Sequence, residues 1–361
     1  MRPADLAFPS VFSTAGLPDA RRIELWEEHN ATALIGLAVH APAPLTATER
    51  NLQLATSHLA RVRGTAHVVE RSAEIIRRDP AEAVAVYLSL RGNSWFRQDG
   101  STKALGAGDV VACDADRPFA RGFARGLEEI VVKVPRHVLA ERTGRSADLG
   151  PGVTSFTSAR PARPARAARP TRSAGDPDAS APYARALARM AGRATSDTRP
   201  VPADEHAVLD LVAVVVAGRH VAQAVSHRAA ATSLIEDHLT DPALGAAWIA
   251  SAIGISERQL SRVFASDGTS VPRHILGRRL HLAYALLAEP AGGGAGGGAG
   301  GGDRETVADI AARCGFTSAA YFSHAFVDPF GLRASELRRE RREAREAREA
   351  REAREARQAS F

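Results

Sequence analysis

Cysteine is almost absent from this 361-residue chain: Cys113 and Cys314 lie far apart in sequence and match no metal-binding or redox spacing. That excludes a disulfide framework and a thiolate zinc site. Lysine is equally scarce, with 2 residues against 45 arginines, and aromatic residues make up only 5%. Long hydrophobic runs are missing as well. The most apolar stretch, Val208 to Gly218, contains Asp210 and is about half the roughly 20 residues a bilayer requires, so it reads as a buried helix. Met1 to Gly16, interrupted by Pro3, Asp5 and Pro9, lacks the apolar core of a secretory signal. The expectation is a cytoplasmic protein with no membrane partner.

A net charge of +6 and a pI near 9.9 invite a nucleic-acid partner, but the charge has to be located first. Arg160 to Arg172 holds five arginines and no acid, and Arg338 to Arg357 holds nine arginines and six glutamates. These two simple-sequence segments supply more than the whole net charge, so the rest of the chain is slightly acidic. Overall basicity is therefore no argument for DNA.

What is present divides the chain into an N-terminal strand-rich part and a C-terminal helical part. Ala83 to Leu90, Trp95 to Arg97, Leu105 to Cys113 and Glu129 to Val134 are short strand runs with turn punctuation such as Gln98-Asp99-Gly100-Ser101, which predicts a barrel or sandwich over residues 1–150. Residues 151–181, rich in Pro, Ala and Arg, are expected to be a disordered linker. Residues 182–225 read as connecting helices, the second carrying Val208, Leu211, Val212, Val215 and Val216, which suit a core partner or a subunit interface equally. Residues 226–338 are helical apart from a Gly-rich insert, 291–302, of three Ala-Gly-Gly-Gly repeats. Residues 339–361 form a low-complexity charged tail.

The informative pattern lies in 226–338 and occurs twice. Leu244, Trp248, Ile249 and Ile253 have helical spacing, Gly254 supplies a turn, and a second helix opens at Ser256 with Gln259 as its capping-box partner and Leu260, Val263 and Phe264 to bury. Val307, Ile310 and Ala311, then Gly315-Phe316, then Thr317 or Ser318 ahead of Phe322 and Phe326, repeat that order. Helix, glycine turn, capped helix is the pattern of a helix-turn-helix. The outward residues are Glu257, Arg258, Ser261 and Arg262 in the first unit, and Ala319, Ala320, Tyr321, Ser323 and His324 in the second. Arg, Ser and Ala are side chains that read base edges.

These motifs resemble the AraC/XylS family of transcription regulators. The likeness rests on Ile249-Ala250, Ile253-Gly254, Ser256, Leu260, Arg262 and Phe264, then Arg278-Arg279-Leu280, and in the second unit Asp309-Ile310-Ala311, Cys314-Gly315-Phe316, Ser318, Tyr321-Phe322-Ser323 and Phe330-Gly331. More weakly, Arg97-Gln98-Asp99-Gly100, Gly108-Asp109 and Arg117-Pro118-Phe119 resemble the cupin-like effector or dimerisation domain that precedes this module. The resemblance implies an α+β chain: an N-terminal cupin-like β-barrel and a C-terminal all-α double helix-turn-helix. It implies two recognition helices in successive major-groove turns, roughly 34 Å apart. Carried over by position, Arg258, Ser261, Arg262, Ala319, Ala320 and His324 face bases, with Glu257 and Tyr321 beside them. The capped ends at Ser256 and Ser318 hold phosphates, and Arg278 and Arg279 contact phosphate or pack. The implied partners are promoter operator DNA, a small-molecule effector, RNA polymerase and a second copy of the chain as a homodimer.

Departures from the family pattern are specific. His324 stands where Arg is common, Asp328-Pro329 precedes Phe330, Ala334 stands where Pro is usual, and the Gly-rich insert separates the linker helix from the second unit. Pro329 is expected to end its helix early. The insert is expected to loosen the register between the two recognition helices unless the two units pack directly on each other. In Thr232 to Leu337 acids outnumber arginines and lysine is absent.

For the barrel, Trp95, Phe96 and Arg97 are candidate effector contacts, with simple core filling as the alternative. A metal enzyme would need converging imidazoles and carboxylates. His29, His40, His58, His67 and His137 are scattered singly, so no catalytic residue, metal or cofactor is expected. The remaining alternative is an oligomeric interaction protein with degenerate DNA binding.

Overall fold

The computed structural model describes residues 9–144, 152–155, 180–197, 200–218, 221–288, 305–340 and 342–343. Most of the expected linker, the Gly-rich insert and most of the tail lie outside the described residues. The chain forms two compact units, one of Phe8–Thr195 with Ala203–Asp237, the other containing Ser196–Pro202 and the chain from His238 onward.

The N-terminal unit carries β1 (Ser10–Ser13), α1 (Arg22–Ala33), β2 (Ala38–His40), β3 (Ala47–Gln53), β4 (His58–Gly64), β5 (His67–Arg71) and α2 (Ala73–Arg78). Then come β6 (Ala83–Arg91), β7 (Ser94–Gln98), β8 (Ser101–Leu105), β9 (Asp109–Asp114), β10 (Phe119–Phe123), β11 (Leu127–Pro135), α3 (Arg136–Thr143) and β12 (Gly152–Ser155). Helices α4 (Ala181–Ala194), α5 (Glu205–Ala217) and α6 (Gln223–His238) follow, the last running into the second unit.

The strands pair antiparallel into a seven-stranded sheet, β1-β3-β4-β11-β6-β9-β12, and a five-stranded sheet, β2-β5-β10-β7-β8. Among the described residues β1, β12, β2 and β8 are edges, so this is a two-sheet arrangement and the expected barrel is not closed. Ala85 and Tyr87 pack in the core shared with Phe96, Phe119 and Phe123 of the small sheet, whereas Val84, Val86 and Leu88 pack in a second core with α4 and α5. Both faces of the large sheet are thus covered at β6, which explains why Ala83 to Leu88 reads as an unbroken apolar run instead of alternating.

Helices α4 and α5, expected as connectors, therefore belong to the core of the N-terminal unit. Two polar contacts fasten α5. Glu205 accepts hydrogen bonds from Thr56 N at 2.8 Å and Ser57 N at 2.7 Å in the β3–β4 turn, and the fully buried Asp210 is paired with Arg142 of α3 and Arg228 of α6. A buried carboxylate on an apolar helix is tolerable only when its charge is met in this way. Between the sheets, Arg121 forms a bidentate pair with Glu129 and lies 3.8 Å from the Tyr87 ring centroid. Residues 152–155, assigned to the linker from sequence, pair with β9 as strand β12.

Candidate nucleic-acid interface

In the C-terminal unit, α7 (Ala246–Ile253) and α8 (Glu257–Ala265) form the first helix-turn-helix. Gly254 ends α7 at φ 74°, the left-handed conformation that closes a helix. Ser256 then caps α8: its Oγ accepts from Gln259 N while the Gln259 side chain accepts from Ser256 N. Leu260, Val263 and Phe264 are buried, and Phe264 meets His274 edge-on at 5.4 Å. Glu257, Arg258, Ser261 and Arg262 are exposed on the opposite side of α8. The 3.6-residue period sorts them there, since burying one stripe leaves these positions outward. Neither the Arg258 nor the Arg262 guanidinium has a partner among the described residues.

Helix α9 (Val271–Leu287), capped by Ser270, links this unit to α10 (Val307–Arg313) and α11 (Ala319–Phe330). Thr306 and Asp309 make a second capping box, and hydrogen bonds from the Thr306 amide and hydroxyl hold the Asp309 carboxyl below its usual range. Gly315 turns at φ 84°, and Ser318, not Thr317, caps α11 by accepting from Tyr321 N. Ala319, Ala320, Tyr321, Ser323 and His324 are exposed, with the Ser323 hydroxyl donating to Ala319 O of its own helix. Pro329 does not end α11 early. The helix continues to Phe330 and stops at Gly331, φ 68°. Proline so close to the end costs little because only the last turn carries the missing amide.

The second unit packs directly on α9. Leu280, Ala283 and Leu287 join Ile310, Phe316, Phe322, Phe326 and Phe330 in one core, with Phe326 and Phe330 4.7 Å apart between ring centroids. Ala334, which stands where the family pattern usually has proline, is buried in the same cluster. The expectation that the Gly-rich insert frees the second unit therefore loses its basis, since packing and not the connection sets the register.

For Arg278 and Arg279 the structure shows the packing alternative. Arg278 is only 4% exposed and its Nη1 donates to Pro202 O at 2.6 Å, so it is not available to a phosphate. Arg279 donates from Nε to Leu239 O at 2.9 Å and from Nη2 to Asp241 O, and a Cβ on Gly315 would approach that Nε to 2.9 Å. It fastens the chain ahead of α7 to the turn of the second unit. Sequence held one signal for this: Val271, Ile275 and Arg278 fall on one helical stripe, so Arg278 faces inward. Arg273, exposed on the first turn of α9 and absent from the sequence-derived set, has an unpartnered guanidinium.

In the N-terminal unit the three effector candidates separate. Phe96 is fully buried between the sheets, stacked 5.7 Å from Phe119, so it fills core instead of lining a pocket. Trp95 and Arg97 alternate to the other face, where the Trp95 ring covers Gly122 and Arg97 stands 5.5 Å from that ring. Burial pushes both thiols, Cys113 and Cys314, up to about 12, which leaves them unreactive at neutral pH. Among the described residues no group of three His, Cys, Asp or Glu side chains could hold a metal ion, and no helix is long and apolar enough to cross a membrane.

Comparison with known proteins places both units. Residues 30–234 match an AraC-binding-like domain and residues 249–340 a helix-turn-helix domain. The chain is 25% identical over 288 residues, 78% of each protein, to the transcriptional activator NphR of a Rhodococcus species. It is 32% identical over 105 residues, 29% of this chain and 30% of the relative, to the transcriptional activator RhrA of Rhizobium meliloti. Among solved structures, the AraC-like transcriptional activator CuxR aligns over 77% of this chain and 95% of its own at 20% identity and a TM-score of 0.42. With an AraC-binding-like domain over more than half its length and a helix-turn-helix domain behind it, this chain belongs to the AraC family of DNA-binding transcriptional regulators.

Proposed function

We propose that α8 is the principal base reader of this regulator and that α11 contributes mainly by fit. The observation that carries the reading is the pair of unpartnered, exposed guanidinium groups, Arg258 and Arg262, one helical turn apart on a capped helix whose other face is buried. Arginine forks of this kind match the guanine edge, and the N-termini of α8 and α11 at Ser256 and Ser318 suit phosphates. Arg273 takes the phosphate role first given to Arg278 and Arg279. On α11, Ala319 and Ala320 suit thymine methyl groups and His324 a single base acceptor. The N-terminal unit serves as an effector and dimerisation domain with the cupin-like fold. The relatives named transcriptional activators support activation as the direction of control, and contact with RNA polymerase is part of this reading.

A gel-shift series with the chain's own upstream DNA tests this. Specific binding is expected to weaken steeply as salt rises, because phosphate contacts release counterions. No shift at any salt favours the alternative of an oligomeric interaction protein, which the excess of acids in Thr232 to Leu337 supports.

A further inference from the structure

A cleft of about 740 Å³ opens at the end of the large sheet, where β3 and β11 begin and β4 and β6 end. Its size falls within the range of small-molecule sites, roughly 300–1,000 Å³. Three of its lining residues are glycines, Gly64, Gly92 and Gly126. A Cβ on Gly92 would stand 2.5 Å from Gly126 O, and a Cβ on Gly126 would stand 2.5 Å from Gly64 O, so only glycine allows these backbones to approach. Leu90 and Leu127 offer apolar surface among the lining residues.

The charged groups of this cleft are four arginines and one glutamate: Arg61, Arg63, Arg91, Arg125 and Glu128. Glu128 is mostly buried and already engages two of the arginines, accepting from Arg61 Nε at 3.0 Å and from Arg63 Nη2 at 2.9 Å. Arg91 reaches it only through Nε at 3.5 Å and its side chain is 83% exposed. Arg125 is exposed and has no partner among the described residues. Two guanidinium groups, one at the end of β6 and one in the β10–β11 turn, thus join Arg61, Arg63 and Glu128 in a cleft that carries three positive charges in excess in all. Guanidinium forks pair with carboxylate and phosphate oxygens in bidentate fashion.

We propose that this cleft binds a small organic anion bearing two or more carboxylate or phosphate groups, which Arg91 and Arg125 clamp while Arg61 and Arg63 add to the positive field. Any consequence for DNA rests on the effector reading of the N-terminal unit, whereas the binding itself is measured without DNA. A concave, glycine-lined cleft suits a compact ligand better than the backbone of a duplex.

The test is calorimetric titration of the full chain with citrate, succinate and pyrophosphate at constant ionic strength, on the wild type and on the Arg91→Ala/Arg125→Ala double variant. Both side chains are exposed, so the double variant should keep the wild-type melting temperature. At least one probe should bind the wild type and lose at least about tenfold in the double variant, the scale expected for lost charge-assisted hydrogen bonds. Glu128→Gln, which frees Arg61 and Arg63, should bind the same probe more tightly. Failure of all three probes to bind, or equal affinity of wild type and double variant, overturns the proposal. So does a double variant that weakens binding to random-sequence DNA while leaving the probe affinity unchanged, which would assign the arginines to a DNA backbone. A bound anion with no effect on the gel shift would instead remove the effector reading and leave the site.

Discussion

In the first helix-turn-helix unit α8 buries Leu260, Val263 and Phe264 and turns Arg258 and Arg262 outward. In the second, α11 buries Phe322, Phe326 and Phe330, gains Phe316 from the turn, and turns out Ala319, Ala320, Tyr321 and His324. The two share a glycine turn at positive φ and a serine N-cap, yet one presents unpartnered cations and the other is built around a cluster of tilted and edge-on rings. Even the glycines differ. Around Gly254 a Cβ would meet nothing within 4 Å, whereas at Gly315 it would stand 2.9 Å from Arg279 Nε and 3.0 Å from Thr240 O. Local helix-turn-helix geometry can therefore be kept while the division of labour between charge and core is reversed. The physical reason is that caps and turns use backbone groups, leaving the outward and inward stripes free to vary separately.

The comparison breaks first at Phe326. Phe326→Ala should lower stability by about 3–5 kcal/mol in a denaturant titration, because a fully buried ring leaves a cavity in a core that α9 also lines. A loss below about 1 kcal/mol would show that the aromatic core is not what holds the second unit to α9.

Next come the glycines. Gly254→Ala should cost about 1–2 kcal/mol for its left-handed backbone alone, and Gly315→Ala measurably more, since the same strain is joined by two close atoms. Equal melting temperatures of the two variants would mean that Arg279 and the Thr240 carbonyl move aside freely.

Removing the outward residues should act on DNA rather than on folding. Arg262→Ala should weaken specific binding by about 1–3 kcal/mol and flatten sequence preference on a panel of mutated operators, with unchanged thermal stability. His324→Ala should cost less, and His324→Arg should tighten binding. If Arg262→Ala and His324→Ala prove equal, the asymmetry between the units is wrong.

The smallest effect is expected from the Gly-rich insert. Shortening 291–302 to four residues changes loop closure by about 1 kcal/mol at most, since each doubling of length costs about 0.6 kcal/mol. With the second unit docked on α9 through Leu280, Ala283 and Leu287, affinity for a two-turn operator should stay as it is. A clear gain in affinity for the short form would show that the connection, not the packing, limits the register.

Much of the reading module is legible in the sequence because its signals are local. Ser256 with Gln259, the glycines 254 and 315, and the spacing of Leu260, Val263 and Phe264 name the turns, one capping box and the buried stripe before any fold is known. The same local reading placed Ala83 to Leu90 as a strand. It assigned Arg278 and Arg279 by position in a motif, and the partners that claim them, the carbonyls of Pro202, Leu239 and Asp241, lie at least 38 residues away in sequence. It also left α5 open between core and subunit interface, since an apolar stripe does not say what it faces.

By itself the sequence determined the strand-rich and helical halves, the capped start of α8, the outward placement of Arg258 and Arg262, and the resemblance to the family. These follow from the 3.6-residue period and from backbone groups that must be satisfied within a few residues. Tertiary structure alone decided that the strands stay in two open sheets, that α4 and α5 complete the N-terminal core, that Phe96 fills space, and that Arg279 is a fastener. Burial and long-range hydrogen bonding are properties of what packs alongside. A flexible guanidinium or an apolar face is indifferent to its partner until the fold supplies one.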